Sequence, residues 1–167
     1  MPIWPFGKNS SPAQPAPATD SNRSILSILS PEEAKALGGL PVEAMLGEVA
    51  TDDKGMRRET FVPNPRFIEF MHQVIQTAGP LDEGLQAVAT AQGEGWVYII
   101  DLRTPEGPQG RVPAEDIIGG FEVNHGHILP ASYWANEDHR LLTANGIVVL
   151  PESLRAAWVK QLPSVNE

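Results

Sequence analysis

Three of the chain's four histidines lie within residues 121–140, FEVNHGHILPASYWANEDHR. His125 and His127 are separated by one residue, a spacing that places both on one side of a strand and that occurs at metal sites. His139 or Asp138 is the candidate third ligand, since a catalytic zinc ion takes three protein ligands. However, Asn124-His125-Gly126 is typical of a hairpin turn, which would leave His125 in water. We therefore expect no metal ion and no other cofactor here.

A second group of candidate residues follows the apolar run GWVYIIDL, where Asp101 and Arg103 lead into the loop RTPEGPQGRVP. Alternation along a strand puts Asp101 on the same side as Val97 and Ile99, towards the protein interior. A buried carboxylate requires a partner, and the available cations are Arg103, Arg111 and Arg140. We favour an ion pair that anchors the loop.

The alternative is a general acid or base with a raised pKa. It would make the chain a hydrolase or lyase that uses Asp101, His127 and His139, with or without a divalent metal. The sequence gives little further support for an enzyme. It contains no cysteine nucleophile, no recognisable serine or lysine nucleophile motif, and no glycine-rich phosphate loop.

The third group is LPASYWANEDHR, in which two aromatic residues precede an amide and two carboxylates. Only one of two adjacent strand residues can face the core, so the other is expected at the surface. An exposed aromatic residue with a polar rim resembles a protein interface more than a reaction centre. The predicted binding residues are Tyr133, Trp134, Asn136, Glu137 and Asp138.

The formal net charge of −9 at pH 7 limits the classes of partner. A nucleic-acid-binding protein neutralises phosphates with a basic face, and an acidic chain is repelled by them and by anionic membranes. A partner protein with a basic surface would be attracted. We therefore expect a small acidic cytoplasmic binding module, such as an adaptor, an inhibitor or a neutralising partner of a basic protein, without catalysis. No apolar run approaches the length of a membrane span.

The amino-terminal residues 1–24 are rich in Pro, Ser and Ala, a composition that favours a disordered leader. Its tip contains Trp4 and Phe6, which could dock onto a partner as aromatic anchors or fold back onto the domain. A single domain is expected over 25–163, followed by a short tail over 164–167.

Local signals place the elements that position these residues. Ser30-Pro31 and Asn64-Pro65 are helix starts, and the helix after Asn64 has an apolar stripe at helical spacing. We predict that LPVEAMLGEVA is a helical turn, that GWVYIIDL is a strand covered on both faces, and that the chain closes with a helix over 151–162. His72 is predicted on the solvated face of its helix.

The order of elements predicts an α+β fold. N-terminal helices would pack on one face of a mainly antiparallel sheet of about five short strands, and a C-terminal helix would close the domain. Tight turns between consecutive strands require antiparallel pairing. Short edge strands such as GIVVL also leave self-association to a homodimer open.

Overall fold

The computed structural model describes residues 3–5, 22–104 and 111–165. The chain divides into two compact units. The first comprises Met1–Ile68, Leu142–Ala144 and Leu162–Glu167, and the second comprises Glu69–Leu141 and Asn145–Gln161. The predicted domain over 25–163 therefore contains parts of both units.

The first unit is built on a four-stranded antiparallel sheet whose spatial order follows the sequence. Its strands are β1 (Ile3–Pro5), β2 (Arg23–Leu26), β3 (Gly47–Asp52) and β4 (Gly55–Pro63). A two-residue turn joins β3 to β4, which forms one edge of the sheet. Buried side chains that fill this unit include Leu26, Leu29, Leu46, Val49 and Phe67.

Helix α1 (Pro31–Ala36) follows β2 and begins at a capping box. The Ser30 hydroxyl accepts a hydrogen bond from the Glu33 amide at 3.1 Å, and the Glu33 carboxylate accepts one from the Ser30 amide at 2.8 Å. These two bonds satisfy amides that a helix start otherwise leaves without a partner. A short 3-10 helix over Val42–Ala44 then leads into β3.

Helix α2 (Pro65–Ala78) starts where Asn64 and Pro65 predicted it. The Asn64 side-chain oxygen accepts from the amide of Arg66 at 3.1 Å, and its amide group donates to the carbonyl oxygens of Val42 and Met45. The stripe predicted from spacing is buried at Phe67, Met71, Val74 and Ile75. Helix α3 (Glu83–Gln92) follows and is capped by the Asp82 carboxylate, which accepts from the Leu85 amide.

The second unit is built on a second antiparallel sheet centred on β6 (Ile117–Asn124). Strand β5 (Gly95–Ile100) pairs with one edge of β6, and the short strands β7 (His127–Ile128) and β8 (Trp134–Ala135) pair with the other. Of the two short strands that follow in the chain, β9 (Leu142–Thr143) belongs to the first unit and β10 (Gly146–Ile147) to the second, and helix α4 (Glu152–Gln161) ends the described elements. The core of the second unit includes Val97, Ile99, Phe121, Leu154 and Trp158.

The α+β class is confirmed, with antiparallel sheets and four α-helices in the described part of the chain. The expectation of one sheet of about five strands was wrong, because the described strands form two four-stranded sheets, with β9 and β10 outside them. The amino-terminal region is not helical throughout either: residues 47–50, predicted as part of a helical turn, lie in β3. Pairing with distant strands overrides the weak local preference of this segment.

The predicted leader overlaps the described residues only in part. Backbone pairing of Ile3–Pro5 with β2 places Trp4 opposite Ile25, which agrees with the fold-back alternative for the tip. Phe6 and the rest of the leader up to residue 21 lie outside the described residues. None of the helices within the described ranges has the length and apolar composition that a membrane crossing requires.

Candidate functional site

The Asp101 carboxylate is fully buried at the end of β5 and accepts four hydrogen bonds or ion-pair contacts. Its Oδ2 lies 3.0 Å from Nε2 of His139 and 3.4 Å from Nε of Arg103. Its Oδ1 accepts the backbone amides of Val149 at 2.8 Å and of Arg103 at 3.2 Å. A single carboxylate therefore connects the end of β5 to the loop after it and to the segment before α4.

Arg103 is the cation that the sequence required for Asp101, and its side chain is also buried. Its Nε donates to Oδ1 of Asp116 at 2.9 Å, so one guanidinium contacts two buried carboxylates. Its terminal nitrogens donate to the carbonyl oxygens of Gly146 and Glu115, each at 3.1 Å, and to that of Arg140. The predicted anchoring ion pair is thus present as a larger buried charge cluster of Asp101, Arg103, Asp116 and His139.

The charge cluster is closed to solvent, which bears directly on its chemistry. Both carboxylates, the Arg103 guanidinium and the His139 ring are almost fully buried, and the polar atoms of Asp101 and Arg103 contact other members of the cluster and backbone groups. A general acid or base must reach a substrate proton, directly or through one water molecule. Within the described ranges, two buried oxygens in this region have no hydrogen-bond partner: Oδ2 of Asp116 and Oγ1 of Thr104.

The three histidines of the opening motif are not brought together. His125 forms the tip of the two-residue turn between β6 and β7, with φ of +53°, and Gly126 follows at +76°. Both residues are therefore in the left-handed region that tight hairpin turns require. His127 is exposed on β7, whereas His139 contacts Asp101. No group of three histidine, aspartate or glutamate side chains in the described part of the chain could hold a metal ion.

His72 was predicted on a solvated helix face, and this was wrong. Its Nδ1 lies 2.6 Å from the hydroxyl oxygen of Tyr133, and the two rings are 5.8 Å apart. Burial, and secondarily the charge of His139, lowers the pKa of His72 to about 4. Burial also raises the pKa of the Tyr133 hydroxyl above its ordinary value. His72 is therefore neutral at pH 7, and its Nδ1 shares a hydrogen bond with the Tyr133 hydroxyl within the second unit.

The predicted binding residues divide between the interior and the surface. Tyr133 faces inwards, with its ring 5.0 Å from that of Phe121, while Trp134 faces outwards. Asn136 is buried and donates to the carbonyl oxygens of Ala114 and Ile117, so it has a structural role. The next two positions, both acidic, are exposed: Glu137 and Asp138.

Trp134 is one of three large rings exposed on the outer face of the second sheet. Trp96 and Tyr98 on β5 are 39% and 46% exposed, and Trp134 on β8 is 43% exposed. The expectation that β5 is covered on both faces was therefore wrong: Val97 and Ile99 are buried, whereas the alternate residues face solvent. Aromatic residues favour strands whether or not they are covered, so apolar character alone was misleading. We call Trp96, Tyr98 and Trp134 the aromatic face.

Strand register explains why the rings of the aromatic face meet. Gly120 on β6 is paired with Tyr98 on one side and with Trp134 on the other, so the two rings approach above a residue without a side chain. Their centroids are 6.4 Å apart and their planes are nearly perpendicular, at 80°. The three rings line a shallow depression of about 270 Å³. Glu122, exposed on β6, is the cross-strand neighbour of Trp96.

Sequence reasoning identified Trp134 and the two carboxylates after it, but it missed the other members of this surface. Trp96 and Tyr98 were assigned to a covered strand, and Glu122 was not singled out. A signal was nevertheless present in the sequence, because Gly119-Gly120 in the middle of a strand marks a place where neighbouring groups approach closely.

Comparison of the chain with protein-family models, with curated proteins and with solved structures gives no match in any of the three.

Proposed function

We propose that the protein is a non-catalytic, acidic binding module for a partner protein with a basic surface, and that the aromatic face is its contact surface. The observation that carries this proposal is the exposure of three large rings side by side on one sheet face. Tryptophan and tyrosine are the side chains that most often dominate binding energy at protein interfaces. Clustered exposure of such rings marks an interaction site more often than scattered apolar residues do.

The charge of the second unit supports a basic partner. This unit contains twelve acidic and five basic side chains, and one of the five, Arg103, is buried on carboxylates. Glu122 is exposed opposite Trp96 on the aromatic face, and the exposed carboxylates Glu137 and Asp138 follow Trp134 in the sequence. The negative electrostatic potential of such a surface accelerates its encounter with a cationic partner and repels nucleic acid.

The buried charge cluster supports a catalytic function less well. Asp101 and His139 are hydrogen bonded, as a base and its orienting group would be, but both are occupied and shielded from solvent. His127, the remaining member of the predicted enzymatic set, is exposed on β7 and does not belong to the cluster. We therefore assign Asp101 and His139 a structural role in this proposal.

The test is a quantitative affinity capture from the native cell extract, with the double variant Trp96→Ala/Trp134→Ala compared with the wild type. Loss of two interface rings should reduce recovery of a specific partner by about tenfold or more. The matched control is Val62→Ala/Leu81→Ala, which removes two exposed apolar side chains elsewhere.

The control should recover the partner as the wild type does, and circular dichroism should show that all three proteins are folded. Native mass spectrometry of the purified wild type establishes whether the recovered partner is a second copy of the chain. Equal recovery of every partner by the wild type and the double variant would remove the aromatic face as the contact surface.

A further inference from the structure

We propose that the corner between Tyr98 and Trp134 binds the guanidinium group of an arginine in the partner, with Glu122 as the neighbouring counter-charge. This inference rests on the proposed function and narrows it from a basic surface to one cationic side chain. It predicts that arginine is preferred over lysine at the point of contact.

The geometry of the corner follows from the position of Gly120. A Cβ atom on Gly120 would lie only 2.9 Å from Cδ1 of Tyr98 and 3.0 Å from the carbonyl oxygen of Val97. Any larger residue would therefore displace the Tyr98 ring, and with it the near-perpendicular arrangement against Trp134. The glycine creates two aromatic walls, either of which can offer its face to a flat cation.

The lining of the depression selects among cations. It is formed by the three rings, with the Tyr98 hydroxyl and the Trp96 and Trp134 indole N–H groups as the polar atoms of their side chains. A lysine ammonium is a compact and strongly hydrated charge, and such a surface would not replace its lost water molecules. A guanidinium is planar and weakly hydrated, and it stacks on aromatic faces.

Glu122 supplies the charge that the rings lack. It is exposed next to Trp96 in the register of the sheet. Among the residues that the structure describes, no lysine, arginine or histidine forms an ion pair with its carboxylate. An arginine seated on the aromatic face could therefore extend its donors towards an available carboxylate, a bidentate geometry that arginine favours.

The experiment is an NMR titration of the full chain with three octapeptides that differ only at their two central positions. These positions are both arginine, both lysine or both citrulline. Citrulline keeps the shape of arginine and removes its charge. The indole N–H signals of Trp96 and Trp134, assigned from single Trp→Phe variants, report contact with the aromatic face, and the signal of buried Trp158 serves as an internal control.

We expect the arginine peptide to bind about threefold to tenfold more tightly than the lysine peptide, the range that a cation–π contact supports. The citrulline peptide should not shift the two indole signals. Gly120→Ala keeps all three rings but should abolish the arginine preference, and Glu122→Gln should weaken arginine binding while leaving the fold unchanged.

The outcomes separate this inference from the proposed function. If both cationic peptides shift the indole signals with equal affinity, the arginine site is overturned and the basic contact surface stands. If neither cationic peptide shifts them while the capture experiment still depends on Trp96 and Trp134, the guanidinium site is again overturned. If capture and peptide binding are both independent of the aromatic face, the proposed function fails as well.

Discussion

Arg103 is a single cation placed against two buried carboxylates. Replacement by leucine should lower the free energy of unfolding by about 3–5 kcal/mol, because Asp101 and Asp116 would remain buried without their counter-charge. Arg103→Lys should recover only part of the loss, since an ammonium cannot reproduce the branched donor pattern of the guanidinium. Urea denaturation at pH 7 measures both effects.

The matched control for this prediction is Arg57→Leu. Arg57 also contacts two carboxylates, those of Asp52 and Glu59, but it is half exposed on β4. Exposed ion pairs contribute at most about 1 kcal/mol, so this variant should differ little from the wild type. A similar loss at both positions would show that burial of the charge cluster is not what makes Arg103 important.

His72 gives the stability of the protein a specific pH dependence. Its pKa is about 4 in the folded state, below its ordinary value of 6.5, so the unfolded chain binds the proton more readily. The stabilising effect of neutral His72 is complete above pH 6.5 and is lost as the pH falls towards 4. The expected loss is about 2 kcal/mol, with allowance for solvent screening at this partly exposed site.

The variant His72→Asn tests this dependence, because its side-chain oxygen can accept the Tyr133 hydroxyl proton without titrating. Urea unfolding at pH 4.5 and pH 7 should show a smaller difference for His72→Asn than for the wild type. His127→Asn, at an exposed histidine, should keep the wild-type difference. Identical pH dependence in the wild type and His72→Asn would contradict the shifted pKa.

The side chains of the site were only partly predictable at this scale. Alternation correctly required that Tyr133 and Trp134 face opposite ways, and it placed Asp101 inside. It could not tell which of the two aromatic residues is exposed, or that Asn136 turns inwards to bind backbone carbonyls. Those outcomes depend on contacts with residues far away in sequence.

At the scale of elements, β6 requires a small residue where β8 pairs with it. A Cβ atom on Gly119 would lie 2.6 Å from the Trp134 carbonyl oxygen and 2.6 Å from the Tyr133 hydroxyl. Gly119→Ala should therefore displace β8 and lower the free energy of unfolding by about 2 kcal/mol, as overpacking of an interior does. Thermal or urea unfolding measures this loss.

Glu122→Ala is the control in the same strand, because its side chain is exposed and its removal should change stability by no more than about 0.5 kcal/mol. The Tyr133→Phe variant adds a second measurement. If the hydroxyl contact is the main clash, Gly119→Ala should be less harmful in the Tyr133→Phe background. A Gly119→Ala variant as stable as the wild type would show that β8 can move without cost.

Helices were easier to predict than strands for a physical reason. A helix start is encoded by neighbours, so Ser30 and Asn64 marked helices α1 and α2 without knowledge of the rest of the chain. A strand is stabilised by a partner that can lie anywhere in the sequence. The segment that forms β3 therefore carried no clear local signal, although β2 and β4 pair with both of its edges.

At the scale of the whole molecule, the order of the elements predicted the α+β class and the composition gave the acidic character, but neither predicted the number of sheets. The period of the apolar residues identifies a strand and leaves its partner open. The apolar periodicity of the sequence is therefore similar whether its strands form two four-stranded sheets or one sheet of five strands. The distinction matters for function, because the aromatic face exists only where β5, β6 and β8 lie side by side.

The consecutive glycines of β6 constrain how this protein can vary during evolution. Gly119 accommodates Tyr133 on the buried side of the sheet, and Gly120 accommodates Tyr98 on the exposed side. In related sequences, a larger residue at position 119 should appear together with a smaller one at position 133, and a larger residue at 120 with a changed ring at 98. Positions 119 and 133 would covary because the fold requires it. Positions 120 and 98 would change together only in proteins that recognise a different ligand. An alignment could therefore distinguish substitutions that preserve the fold from substitutions that change ligand specificity.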